Sequence, residues 1–229
     1  MKTMKKTQTA LLGAVATLLL AGASAAQAQV KITEVSAWGS GNAPYATDWF
    51  ELTNTGSSAI SLSGWSMDDN SNGTAKVSMV GISSIAAGES VIFTENAAKA
   101  SFLSTWFGAN APAGLQIGTY TGSGVGLSTS GDAVNVYNAG GVLQANVIFG
   151  ASGAGPSYPT FDNAAGLTGN ISQLSLVGVN GAFAALNDSS EIGSPGTVAA
   201  AVPEPSSYAL MLAGLVTVGA ISRRRKLKA

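Results

Sequence analysis

The chain has 229 residues, 46% of them hydrophobic and only 10% charged, with 29 Gly, no Cys and no His. Without Cys there is no disulfide framework, thiolate metal site or cysteine nucleophile, and without His the usual general base and the Ser-His-Asp triad are missing. The net charge of −1 conceals segregation: from Lys31 to Glu191 three bases face eleven acids, and this body of −8 repels phosphates, which excludes nucleic acid as a partner.

Residues 1–28 open with Lys2, Lys5 and Lys6, continue as an apolar run over 11–23 and end in Ala26-Gln27-Ala28. A basic head, an apolar middle and a small-x-small exit form a secretory signal peptide, so signal peptidase is expected to cut after Ala28. The body, 29–196, then alternates short apolar runs with Gly/Asn/Ser turns. Strands are expected at 31–35, 49–54, 65–68, 90–94, 118–121, 133–138, 142–149 and 171–177. Asn138-Ala139-Gly140-Gly141 should join two of them as a hairpin, because Gly and Asn tolerate φ > 0. In 96–107, Ala98, Phe102 and Trp106 recur at helical spacing, with Asn96 as the expected cap and Gly108 beyond the last turn. Residues 150–166, rich in Gly, Pro and Ala, read as a long loop.

This pattern predicts an all-β fold: an antiparallel β-sandwich with one short helix crossing an end. Its inner faces should be built from Ile32, Phe50, Leu52, Trp65, Val91, Phe93, Val134, Val136, Val147 and Phe149. Small residues over 197–202 form a linker to a last segment, 203–229.

That segment reads Pro203-Glu204-Pro205, then an apolar run over 208–221, then Arg223, Arg224, Arg225 and Lys226. As a helix, 203–222 nearly matches the roughly 30 Å hydrocarbon core of a bilayer. The basic cluster should stay cytoplasmic, which places the body on the far side, the orientation that a signal peptide also requires. The order and spacing of these parts resemble the PEP-CTERM sorting signal of Gram-negative bacteria. The resemblance implies an exosortase as partner, a transient anchor in the inner membrane, and cleavage near Pro203-Glu204-Pro205. Release or transfer to the cell surface would follow, often in bacteria that make exopolysaccharide.

The body resembles a second family. Ile32-Thr33-Glu34-Val35, then 48–54 (Asp-Trp-Phe-Glu-Leu-Thr-Asn), then 60–68 with Leu62-Ser63-Gly64-Trp65 are similar to the lamin-tail domain. So are Ile85-Ala86-Ala87-Gly88-Glu89, the run 127–137 and a closing Ser194-Pro195-Gly196. The resemblance implies an immunoglobulin-like sandwich that serves as an accessory module on exported proteins. It covers most of 30–150 and leaves 151–193 unassigned.

Three candidate sites emerge. Asp68, Asn70 and Asn72, alternating before Gly73, copy the first half of a calcium loop, although Met79 stands where the bidentate Glu belongs. The competing reading is a polar connection after a strand, and apart from this calcium candidate no cofactor is expected. Glu34 and Glu51, on neighbouring strands, form a carboxylate pair of the kind that hydrolyses glycosides. As framework residues of the resembled family they should instead bond backbone groups at a strand end. Trp38 and Tyr45, in a Gly-rich loop, are candidates for an exposed sugar-stacking surface, while Trp49 and Trp65 are expected in the core. Asp188 and Glu191 read as a solvated loop. The sequence therefore predicts a non-enzymatic, exported surface or matrix protein; the alternative is a carbohydrate-binding or hydrolytic protein acting on exopolysaccharide.

Overall fold

A computed structural model of the protein describes residues 29–70, 76–122, 124–153 and 155–197. The signal peptide, the sorting segment and Asn72 lie outside them. In chain order the elements are β1 (Val30–Ser36), β2 (Trp49–Asn54), β3 (Ile60–Ser61), β4 (Ser66–Asp68), β5 (Val77–Val80), β6 (Ser84–Ile85) and β7 (Ser90–Thr94). The helix α1 (Lys99–Phe107) follows, then β8 (Ile117–Tyr120), β9 (Asp132–Tyr137) and β10 (Leu143–Phe149). The last part holds β11 (Tyr158–Pro159), β12 (Phe161–Asp162), β13 (Gly169–Ile171), β14 (Phe183–Ala185) and β15 (Asp188–Gly193).

Ten strands form one continuous ladder, β12-β1-β2-β7-β8-β5-β4-β9-β10-β13, folded upon itself at β5. The first half of β5 pairs with β4 through Ser66↔Ser78 and Met67↔Val77. Its second half pairs with β8 through Met79↔Tyr120 and Val80↔Thr119. A strand that changes sheets in this way makes the corner of a sandwich. Between the two halves lies the main core, which contains all ten residues expected to face inward, from Ile32 to Phe149. The fold is thus mostly β with one helix among the described residues, consistent with the immunoglobulin-like class.

The β9–β10 turn forms as its residues require. Asn138 Oδ1 accepts from the amides of Gly140 and Val142, both at 3.0 Å, and Gly141 takes φ +74°.

Several expectations need correction. The sheet is not purely antiparallel, because β7–β8, β10–β13 and β11–β15 pair in parallel. The segment 150–166 is no bare loop but contains β11 and β12, and β12 adds to the edge of β1. The expected strand at 171–177 is broken up: Ile171 ends β13, Leu174 makes an isolated antiparallel bridge to Phe161, and at 176–179 the chain turns, Val179 N–H donating to Leu176 O. Asn96 does not cap the helix. Its side chain donates to Ala46 O at 3.4 Å, and Ala98 stands at the helix start with no side-chain cap.

The first half of the ladder is buried on both faces. A second cluster packs Trp49, Ile92 and Ile117 of that sheet against Tyr45, Phe102, Trp106 and Ala185. This cover explains why every residue of β2 is buried, where a one-sided sandwich strand would alternate. It also places polar side chains of β1, β2 and β7 in the interior.

Candidate functional site

A bulge in β1 positions the most unusual group of side chains. The register between β1 and β2 shifts between Ile32 and Glu34, so Ile32 and Val35 both enter the main core. Thr33 and Glu34 are left on the other face, with Glu34 directly opposite Glu51. Both glutamates are buried, at 0% and 2% exposure.

Their oxygens are occupied by the chain's own donors. Thr160 Oγ1 donates to Glu34 Oε1 at 2.5 Å, the Ser194 amide to the same oxygen at 2.8 Å, and Ser194 Oγ to Oε2 at 3.2 Å. Thr33 Oγ1 donates to Glu51 Oε1, and the Gly196 amide to Glu51 Oε2, both at 2.7 Å. Hydroxyls extend the row from Thr33 to Thr53 (2.8 Å) and Ser90 (2.6 Å), and from Thr160 to Ser175 (2.7 Å). The closing Ser194-Pro195-Gly196 is thereby fastened to β1 and β2 by two backbone amides.

Beside this row, Tyr45 OH donates to Glu191 Oε2 at 2.8 Å and receives the Trp49 indole N–H at 3.3 Å. Asp48 Oδ1 accepts the Ser40 amide at 2.8 Å. Burial raises Asp48 to about 7, with Glu95 adding repulsion, and burial likewise raises Glu191 to about 7, with Asp188 and Asp48 adding to it. Glu34 and Glu51 are both raised, chiefly by burial and further by neighbouring carboxylates: Asp162 for Glu34, and Glu34 for Glu51. Carboxyls facing one another in a dry sheet titrate as a pair, and both burial and mutual repulsion favour the protonated form.

Glu191 is a correction to the sequence reading: it is 1% exposed and not in a solvated loop. So is Tyr45, which at 3% exposure offers no face to a sugar. Trp38 is half-buried and stacked on Tyr158, ring centroids 4.0 Å apart and planes at 14°, so the two rings cover each other. Trp49 and Trp65 are internal as expected.

At the calcium candidate, Asp68 is buried and Tyr137 OH lies 3.3 Å from both its oxygens. The Asn70 amide donates to Asp132 Oδ1 at 3.0 Å. Among the described residues no three acidic side chains gather where an ion could be held. Sequence reasoning did not assign roles to Thr160, Ser175 or Asp48: Thr160 meets Glu34 from 126 positions away, whereas Asp48 bonds the nearby Ser40 amide.

The described body is thus a mostly-β sandwich whose buried glutamates bond its own backbone. The Lamin Tail Domain family matches residues 23–150, more than half of the chain, and the protein belongs to that family. A PEP-CTERM protein-sorting motif matches residues 201–226. Comparison with curated proteins found no match. The family match stops at residue 150, so every donor that reaches Glu34 from 160 or 194, and Glu51 from 196, comes from outside it.

Proposed function

We propose that this is an exosortase-sorted, exported protein with a structural or adhesive role at the cell surface or in the extracellular matrix. The PEP-CTERM motif over 201–226 carries this reading. Its Pro203-Glu204-Pro205 stands before an apolar run and a basic cluster, the arrangement that would suit a temporary inner-membrane anchor. No helix among the described residues is long and apolar enough to cross a membrane. The proposed span lies outside them.

A non-enzymatic role is supported by how the acids are used. Glutamates that might have served acid–base chemistry are sealed from water and committed to Thr160, Ser194, Thr33 and Gly196. A hydrolase needs its carboxyls within reach of a glycosidic oxygen and a water. Calcium, exopolysaccharide and any sugar contact at Trp38 have no further support in the geometry.

The test replaces Pro203-Glu204-Pro205 with alanines and follows the protein in fractionated cells. The expected outcome is an uncut, membrane-retained precursor. A mature C-terminus unchanged by mass spectrometry would defeat the exosortase reading.

A further inference from the structure

From Asn163 to Asn187 the chain has no charged residue, and here the body exposes much of its apolar surface. Leu176, Val177 and Val179 form the tip of a tight turn, exposed by 60%, 61% and 41%. The turn is internally bonded: Val179 N–H donates to Leu176 O (2.9 Å), Gly178 N–H to Ala182 O and Ala182 N–H to Val179 O (both 2.8 Å). Asn180 ties its base to β12, donating to Asp162 Oδ2 at 2.7 Å. An aliphatic tip in which the Gly178, Val179 and Ala182 amides are already paired strands fewer backbone donors on entering an apolar phase.

The position of this turn suggests what covers it. Thr197, the last described residue, lies beside Gly181, where an added Cβ would be 2.6 Å from Thr197 Cγ2. Residues 198–202 alone separate Thr197 from Pro203, and five residues reach at most about 18 Å. A compact body of this length has a radius of gyration of about 15 Å. While the sorting segment is membrane-inserted, a linker of this reach keeps Thr197 within about 18 Å of the point where the chain enters the membrane. The geometry points to the 176–179 turn as a lipid-contacting tip that dips into the interface of the membrane bearing the uncut precursor. This inference rests on the proposed insertion of 203–229. A basic amphipathic helix would bind lipid by charge as well, whereas this turn brings aliphatic side chains alone.

The lack of Cys allows a direct test by single labels. The full chain, uncut at Pro203-Glu204-Pro205, is placed in phosphatidylethanolamine/phosphatidylglycerol vesicles. An environment-sensitive fluorophore is carried by Val177→Cys, by Val142→Cys on the β9–β10 turn, or by Leu212→Cys in the sorting segment. Doxyl-lipid quenching at 177 is expected to exceed that at 142 by about threefold and to approach that at 212. Val179→Cys provides a second position should a label at 177 disturb the turn. Quenching at 212 with 177 as water-exposed as 142 overturns the tip and leaves membrane insertion standing. Absence of quenching at 212 overturns both. Shielding at 177 that grows with protein density and ignores doxyl lipid overturns the lipid assignment in favour of a second copy of the chain.

Discussion

At the scale of single residues, the facing Glu34 and Glu51 show how little of a carboxylate's behaviour follows from its charge. Burial favours the neutral form of Glu51, and Gln keeps its shape and one of its two acceptor oxygens. Glu51→Gln is therefore expected to change stability at pH 7 by less than about 1 kcal/mol. Glu51→Leu keeps the volume but removes both acceptors, orphaning the part-buried Gly196 amide and weakening the hold on Thr33. It should cost about 2–3 kcal/mol in urea unfolding, since each abandoned buried donor costs roughly 1–3 kcal/mol. Equal losses for Gln and Leu would mean that Glu51 is needed as an anion. Gly193 tests the same packing from the opposite side. A Cβ there would lie 2.5 Å from Glu34 Oε1 and 3.0 Å from the Trp106 ring, so Gly193→Ala should destabilise by about 1–3 kcal/mol through overpacking. An unchanged midpoint would show that the carboxylate can move aside.

Among elements, the strands beyond the family match finish what the matched part begins. β12 and β13 add to the outer edges of β1 and β10, and β14 and β15 join the layer over Trp49 and Ile92. A chain ending at residue 150 would expose two sheet edges and that second apolar cluster. It is expected to aggregate or to lack a cooperative melt, whereas a chain ending at 197 melts in one transition. A sharp calorimetric transition for the shorter chain would show that the family core stands alone. The same contrast marks what the sequence made legible. Strands β2, β7, β9 and β10 were readable because Phe50/Leu52, Val91/Phe93, Val134/Val136 and Val147/Phe149 alternate over enough residues to define a period. A two-residue strand such as β11 or β12 has no period, and its place is set by a remote partner, β15 for β11 (Tyr158↔Glu191) and β1 for β12 (Glu34↔Asp162). Glu191, amid Ser and Gly, looks solvated until Tyr45, 146 positions earlier, is seen to meet it. The two framework glutamates were correctly expected to bond backbone groups. Their donors were not legible, because Thr160 and Ser194 are brought near only by tertiary folding.

For the whole molecule, an acidic body with few bases and several buried carboxyls should be a protein that acid stabilises over part of the pH range. The folded state holds protons on Asp48 and Glu191 up to about 7, and Glu34 and Glu51 are raised as well, whereas an unfolded carboxyl releases its proton near 3.8 for Asp or 4.5 for Glu. Between those values the native state binds more protons than the unfolded chain, so stability falls as pH rises. The contribution is fully present below the unfolded values and is lost as pH climbs through the folded ones. Each unit of difference corresponds to about 1.4 kcal/mol. Even part of that across four sites should lower the melting temperature by about 5–10 °C between pH 5 and pH 8, at roughly 2–4 °C per kcal/mol. Surface repulsion within a body of −8 acts in the same direction but is screened by salt, whereas the buried acids are screened much less. Melting curves at pH 5, 6.5 and 8, each in low and in 0.5 M salt, separate the two causes. A pH slope that survives salt and shrinks in Glu51→Gln belongs to the interior, and a slope that salt abolishes belongs to the surface. A melting temperature that rises from pH 5 to pH 8 would mean that these carboxyls are ionised in the fold and stabilised by something other than the bonds described above.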